Sequence, residues 1–189
     1  MIGVLADLQH GVVARWQILA LGFSPDQIAG QLRSGHLHRV YRGVYAVGRR
    51  KLSRQGQWMA AVLACGEESV LSHRSAIALW GLRPPTGGPS NVTDPTRCHF
   101  GQRNIRVHRS RSLHKNDRTV HDGIRVTSVH RSILDFAETA PAQQVRLAVE
   151  AAERKELYNG LVMDEMLART RGRKGIKPLK AVLASMRGA

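Results

Sequence analysis

The chain has 189 residues, a length that suits one medium domain or a small module joined to a larger one. Hydrophobic residues make up 42%, enough for a core, and no apolar run approaches the ~18 residues of a membrane span. Twenty-nine lysines and arginines against fourteen aspartates and glutamates give a formal net charge of +15, which favours polyanionic partners: nucleic acid first, an anionic membrane surface or an acidic protein as alternatives.

Residues 2–9 read as a short helix with Ile2, Leu5 and Leu8 on one side. VVARWQILALG (12–22) reads as a second helix, with Trp16, Leu19 and Ala20 inward. FSPDQIAGQLRSG follows. Ser24 is a good N-cap, Pro25 suits the first helical position, and Gln27 completes a capping box. Ile28 and Leu32 form the buried stripe, and Gly35 ends the helix. HLHRVYRGVYAVGRRK (36–51) is rich in strand formers on both sides of Arg42-Gly43, so it reads as a hairpin. Three short helices and a hairpin is the order of a winged helix-turn-helix. The expected organisation is therefore a DNA-binding module over 1–50 and an α+β domain over 51–189.

In the second region, 54–65 and 72–82 read as helices, and RPPTGGPSN reads as a loop. Strands are expected at 91–93, 105–110 and 123–128, with a turn at Asp122-Gly123. Helices are expected at 129–139, 142–156, 161–169 and 176–186, with a basic, glycine-rich break from Arg171 to Lys177. The fold class is α+β, with a small sheet and C-terminal helices.

GVVARWQILALGFSPDQIAGQLRSGHLHRVYRGVYAVG, VLSHRSAIALWGL, RNIRVHRSRSL and GIRVTSVHRSILDFAE together resemble the actinobacterial branch of the AbiEi-type antitoxin family. The resemblance covers roughly residues 10–185. It implies an N-terminal winged helix-turn-helix ahead of an α+β antitoxin domain. It also implies repression of the chain's own promoter, read as double-stranded DNA with an inverted repeat. The other implied role is opposition to a nucleotidyltransferase-like toxin in a type IV toxin–antitoxin arrangement. Many relatives continue into a domain resembling a very-short-patch-repair or PD-(D/E)xK endonuclease. This sequence stops at Ala189 and holds no strand with Asp followed by Glu-x-Lys, so nuclease chemistry is not expected of it. Two alternatives stand beside the repressor: the DNA-targeting portion of an endonuclease system whose catalytic domain is elsewhere, and a purely protein-binding module.

The candidate DNA-binding residues follow from the predicted helix and hairpin. With Ile28 and Leu32 inward, Gln27, Gly30, Arg33 and Ser34 face out and Gln31 lies at the margin. Glutamine pairs with adenine and arginine with guanine. On the hairpin, Arg39 and Arg42 suit phosphates and His36 and His38 add hydrogen bonds, while Arg49, Arg50 and Lys51 extend the charge. Arg15 begins the preceding helix and is a further phosphate candidate. Tyr41 and Tyr45 are expected in the core. His73 and Arg74 open the 72–82 helix, where an anion or a purely structural role competes. Residues 97–131 hold nine lysines and arginines and five histidines against Asp117 and Asp122, so one sheet face reads as basic: a second DNA surface, a toxin-binding surface or a solvated face.

No enzyme and no cofactor are expected. Cys98-His99 with His108 or His114 fits no standard zinc spacing, and neither GxSxG nor GxxxxGK[ST] occurs. Glu150, Glu153, Glu156, Asp164 and Glu165 are explained by i,i+4 pairing. Two cysteines are too few for a disulfide framework, and MIGVLADLQHGVV lacks a basic n-region, so a cytoplasmic location is expected.

Overall fold

The computed structural model describes residues 1–96, 102–110, 113–170 and 172–188, and it is mixed α+β. The first part runs α1 (Ile2–Leu8), β1 (Val12–Ala14), α2 (Arg15–Ala20), α3 (Pro25–Arg33), β2 (Leu37–Tyr41) and β3 (Val44–Val47). The helix expected over 12–22 is thus a strand followed by a shorter helix. Val12 and Val13 are β-branched and favour extended backbone. Val12, Val13 and Ala14 pair antiparallel with Ala46, Tyr45 and Val44, and all three are fully buried.

The buried face of α2 also differs from expectation. Ile18 is fully buried and Trp16 is 42% exposed. A six-residue helix takes its orientation from its tethers. Here the Arg15 N–H donates to the Gly43 carbonyl at 2.7 Å, and β1 holds the preceding residues in the sheet. That arrangement turns Ile18, not Trp16, onto the core.

Helix α3 forms as its caps dictate. The Ser24 N–H donates to Gln27 Oε1 at 2.7 Å, and the Gln27 N–H donates to Ser24 Oγ at 3.2 Å. Ile28 is buried, and Gly35 at φ +75 ends the helix. The three-stranded sheet has the order β1-β3-β2. One face packs on α1–α3 through Ala6, Val13, Ile18, Ile28, Leu37 and Tyr45. The other face, with Val12, Ala14 and Val44, packs on α4 (Arg54–Cys65). Tyr45 is buried on the first face and Tyr41 packs into the α4 side, so both tyrosines belong to the core.

Helix α4 is apolar almost all round, as a helix enclosed on every side must be. Its second side meets a five-stranded sheet ordered β6-β5-β4-β8-β7: β4 (Val70–Leu71), β5 (Ser90–Asp94), β6 (Ile105–Arg109), β7 (Arg118–His121) and β8 (Ile124–Thr127). Apolar contacts therefore run continuously across residue 50. Gly56 sits where α4 crosses the α1–β1 turn, and a Cβ there would lie 2.8 Å from the His10 carbonyl oxygen. Gly56→Ala is expected to cost about 1–3 kcal/mol by overpacking, read as a lower urea midpoint; an unchanged midpoint would show that the crossing is loose.

The remaining helices are α5 (His73–Leu79), α6 (Val129–Ala137), α7 (Ala142–Arg154), α8 (Gly160–Arg169) and α9 (Ile176–Arg187). Their core includes Ile133, Leu134, Val145, Val149, Met163 and Leu179. The expected i,i+4 pairing holds for Arg146 and Glu150, at 2.9 Å. Beside that core lies a buried ion network. Arg131 is fully buried: its Nη1 donates to Asp117 Oδ2 at 2.8 Å, its Nε to Asp135 Oδ1 at 2.8 Å and its Nη2 to Ser110 Oγ at 3.1 Å. Arg169 reaches Asp117 from α8, and Arg173 reaches Asp135 and Glu138. Burial disfavours the Arg131 charge, but the two aspartates outweigh it and raise its pKa.

His73, at φ +50 and 2% exposed, stacks on His108 with ring centroids 3.5 Å apart. Burial, His73 and the nearby charges of Arg106 and Arg173 lower the His108 pKa to about 4, against an opposing pull from Glu138. Burial alone raises Glu138, but His73 and Arg173 bring it down to about 2. Both groups make the fold acid-sensitive, in different windows. Between about pH 6.5 and 4 the unfolded chain takes up a proton that folded His108 refuses, so stability falls as pH drops. His130, lowered chiefly by burial, adds the same sign. Glu138 stabilises above its unfolded pKa and loses that contribution as pH falls toward 2. The expected result is a melting temperature that declines from about pH 7 to about pH 4.5, with a shallower decline in His108→Gln. An equal slope in that variant would remove His108 as the cause.

Candidate nucleic-acid interface

Residues 1–54 carry eight lysines and arginines against Asp7 and Asp26. The fold separates these cations into groups. Arg33 at the end of α3 is exposed, and beside it Ser34 Oγ lies 2.8 Å from His36 Nδ1 and donates to the Gln31 carbonyl. The Gly48 N–H donates to the His36 carbonyl, which joins the end of α3 to the base of the hairpin. At that base His38 Nε2 bonds the Gly48 carbonyl at 3.2 Å, and Arg50 Nε donates to His38 Nδ1 at 3.3 Å. Arg49 and Lys51 are exposed beside them. Arg33, Ser34, His36, His38, Arg49, Arg50 and Lys51 therefore form one basic end.

Arg39 lies between the ends. It pairs in register with Tyr45, whose side chain is on the α1–α3 side of the sheet, so Arg39 shares the face on which α3 packs. Strand β2 is an edge of the sheet and Arg39 is exposed. A bulge between Arg39 and Tyr41 then turns Val40 and Tyr41 toward α4.

Arg15 and Arg42 sit at the opposite end, by the hairpin tip. With Trp16, Leu19, Leu63 and Ala64 they border a largely apolar depression of about 350 Å³. Five residues of strand separate tip from base by ~16 Å. The tip is not a freely projecting ribbon, because the hairpin lies along α4.

Two of the expected base readers are partly committed elsewhere. The Gln27 carbonyl oxygen is held by the Ser24 N–H, which leaves its amide NH₂ as the outward donor. Gln31 is half-buried. Gln27 at the start of α3 and Arg33 at its end are both exposed.

Among the described residues of the basic 97–131 segment, Arg106, His108 and Arg125 share by register the face of the sheet away from α4, with β5 and β4 between the two strands. Arg131 is internal, Arg118 pairs with Glu68, and Arg125 Nη2 donates to the Gly66 carbonyl. Cys98 and His99 lie outside the described residues. Among the described residues no group of three His, Cys, Asp or Glu side chains is placed to hold a metal, and no helix is long and apolar enough to cross a membrane.

Three arginines that sequence reasoning did not group, Arg54, Arg74 and Arg106, meet around the 85–90 loop. They come from α4, α5 and β6, and no local spacing relates them. Protein-family models and curated proteins both return no match for this chain.

Proposed function

We propose that the chain binds double-stranded DNA through α3 and the β2–β3 hairpin, as a winged helix-turn-helix repressor of its own promoter. The observation that carries this reading is the arrangement of residues 2–47. Helix, strand, helix, helix and hairpin close a sheet of order β1-β3-β2, with α3 against edge strand β2. Arg33 and Arg39 are exposed on that unit, and residues 1–54 carry only two carboxylates, Asp7 and Asp26. Arginine at both positions suits a duplex: one side chain on a helix of major-groove size, the other on an adjacent strand for the backbone. The basic hairpin base would track the flanking phosphates.

The resemblance extends the reading to an antitoxin that opposes a nucleotidyltransferase-like toxin. That role is tested by co-expression with a neighbouring toxin gene and growth measurement.

The deciding experiment for DNA binding compares the chain's own upstream DNA with scrambled DNA of equal length across rising salt. Preference for the upstream duplex at the higher salt supports the repressor. Equal binding that collapses together with salt would reduce the affinity to net charge alone, since phosphate contacts carry no sequence information.

A further inference from the structure

We propose that the groove over the 85–90 loop is a second anion site that binds a phosphate group. Its floor is the glycine-rich loop between α5 and β5, and its sides are Arg54, Arg74 and Arg106. The wider part has a volume of about 380 Å³, ample for a phosphate, and a narrower cleft continues it toward α4. Among the described residues, no carboxylate lines either part.

Three further observations make this more than a charged surface. The Arg54 guanidinium donates to the Thr86 carbonyl at 3.4 Å, so α4 holds the loop in place. The Arg74 guanidinium lies 5.4 Å from the centroid of the Phe136 ring, which orients it before any ligand arrives. Among the described residues, none accepts from the backbone amides of Thr86, Gly87 and Gly88. Gly88 has φ +110, and a Cβ at Gly87 or Gly88 would meet nothing within 4 Å, so the exposed loop backbone is uncrowded there. Successive free amides beside arginines are a recurrent oxyanion receptor, and arginine's fork matches phosphate oxygens.

The site is separate from the helix–hairpin unit, and the inference stands without the repressor reading. The phosphate can belong to a polynucleotide backbone or be free in solution. An acidic peptide is the competing occupant; the planar, paired donors of arginine serve a carboxylate too, but the loop amides and three arginines together exceed what one carboxylate satisfies.

The test uses the full ¹⁵N-labelled chain, with the amide resonances of Gly87 and Gly88 as reporters. Inorganic phosphate and a scrambled-sequence DNA duplex are titrated separately at constant ionic strength. The expected result is a saturable shift at both glycines. In Arg54→Gln/Arg106→Gln, whose two side chains are exposed, binding is expected to weaken by about tenfold or more with the spectrum outside the 85–90 loop unchanged. A response to the duplex alone assigns a polynucleotide backbone, and a response to inorganic phosphate assigns a small anion; either supports the site. No shift with either probe, an undiminished shift in the double variant, or a response to polyglutamate stronger than to phosphate overturns it. Arg33→Glu/Arg39→Glu retains the loop response, so loss of promoter binding and loss of the phosphate site are read independently.

Discussion

Arg131→Met is expected to lower stability by about 3 kcal/mol, more than removal of any exposed ion pair in the chain. Arg131 is buried and bridges Asp117 and Asp135, which are themselves fully buried. A buried ion pair contributes little net stability when intact, because desolvating the charges offsets their attraction. Removing one partner is different: the carboxylates remain buried with fewer donors, which typically costs about 3–5 kcal/mol. The lower end applies here because Arg169 still reaches Asp117 and Arg173 still reaches Asp135. For a chain of this size that corresponds to a melting temperature lower by roughly 6–12 °C. Arg131→Lys should fall between, since one ammonium cannot reproduce the fork that also donates to Ser110 Oγ. Urea denaturation of the three proteins is the check. If Arg131→Met proves as stable as the parent, the network is decoration on a fold held by apolar packing alone.

Reversing the charge of Arg33 and Arg39 together is expected to weaken promoter binding by about a hundredfold. Hydrogen bonds to charged groups contribute about 1.5–3 kcal/mol each, and every 1.4 kcal/mol is about tenfold. The salt dependence should flatten as well, by about 0.9 for each phosphate that is no longer neutralised. Binding isotherms of parent and variant on the upstream duplex, at several salt concentrations, separate the two terms. An affinity that falls with an unchanged slope means that the arginines touch bases and not phosphates. Unchanged affinity and slope would sink the assignment of α3 and β2 to the interface. Arg42, at the tip beside α4, is expected to matter less than Arg39, because the hairpin lies along α4 instead of projecting from it.

Much of this architecture is written in short-range chemistry. The reciprocal cap of Ser24 and Gln27, the turn at Arg42-Gly43 and the start of α4 behind Ser53 all depend on groups within a few residues of one another. The turn at Asp122-Gly123, with both residues at positive φ, belongs with them. Strands β1 and β4 were not legible. Each is two or three residues long and exists only because a distant strand supplies its hydrogen bonds. The stacking of His73 on His108 was equally hidden, since the two rings meet only when α5 packs over β6.

Composition and local spacing were enough for the charge, the class of elements, the capped helix followed by a hairpin, and the core role of Tyr41 and Tyr45. These depend on residue type and on periodicity along the backbone, which survive any arrangement of the pieces. Packing in three dimensions chose which cations stand together. It withdrew Arg131 into a buried network, set Arg42 and Arg15 apart from Arg49–Lys51 at opposite ends of the hairpin, turned Trp16 outward, and gathered Arg54, Arg74 and Arg106 around one loop. The physical reason is that a charged side chain is placed by whichever partner or solvent its fold leaves within reach, and that distance in space is not encoded in distance along the chain.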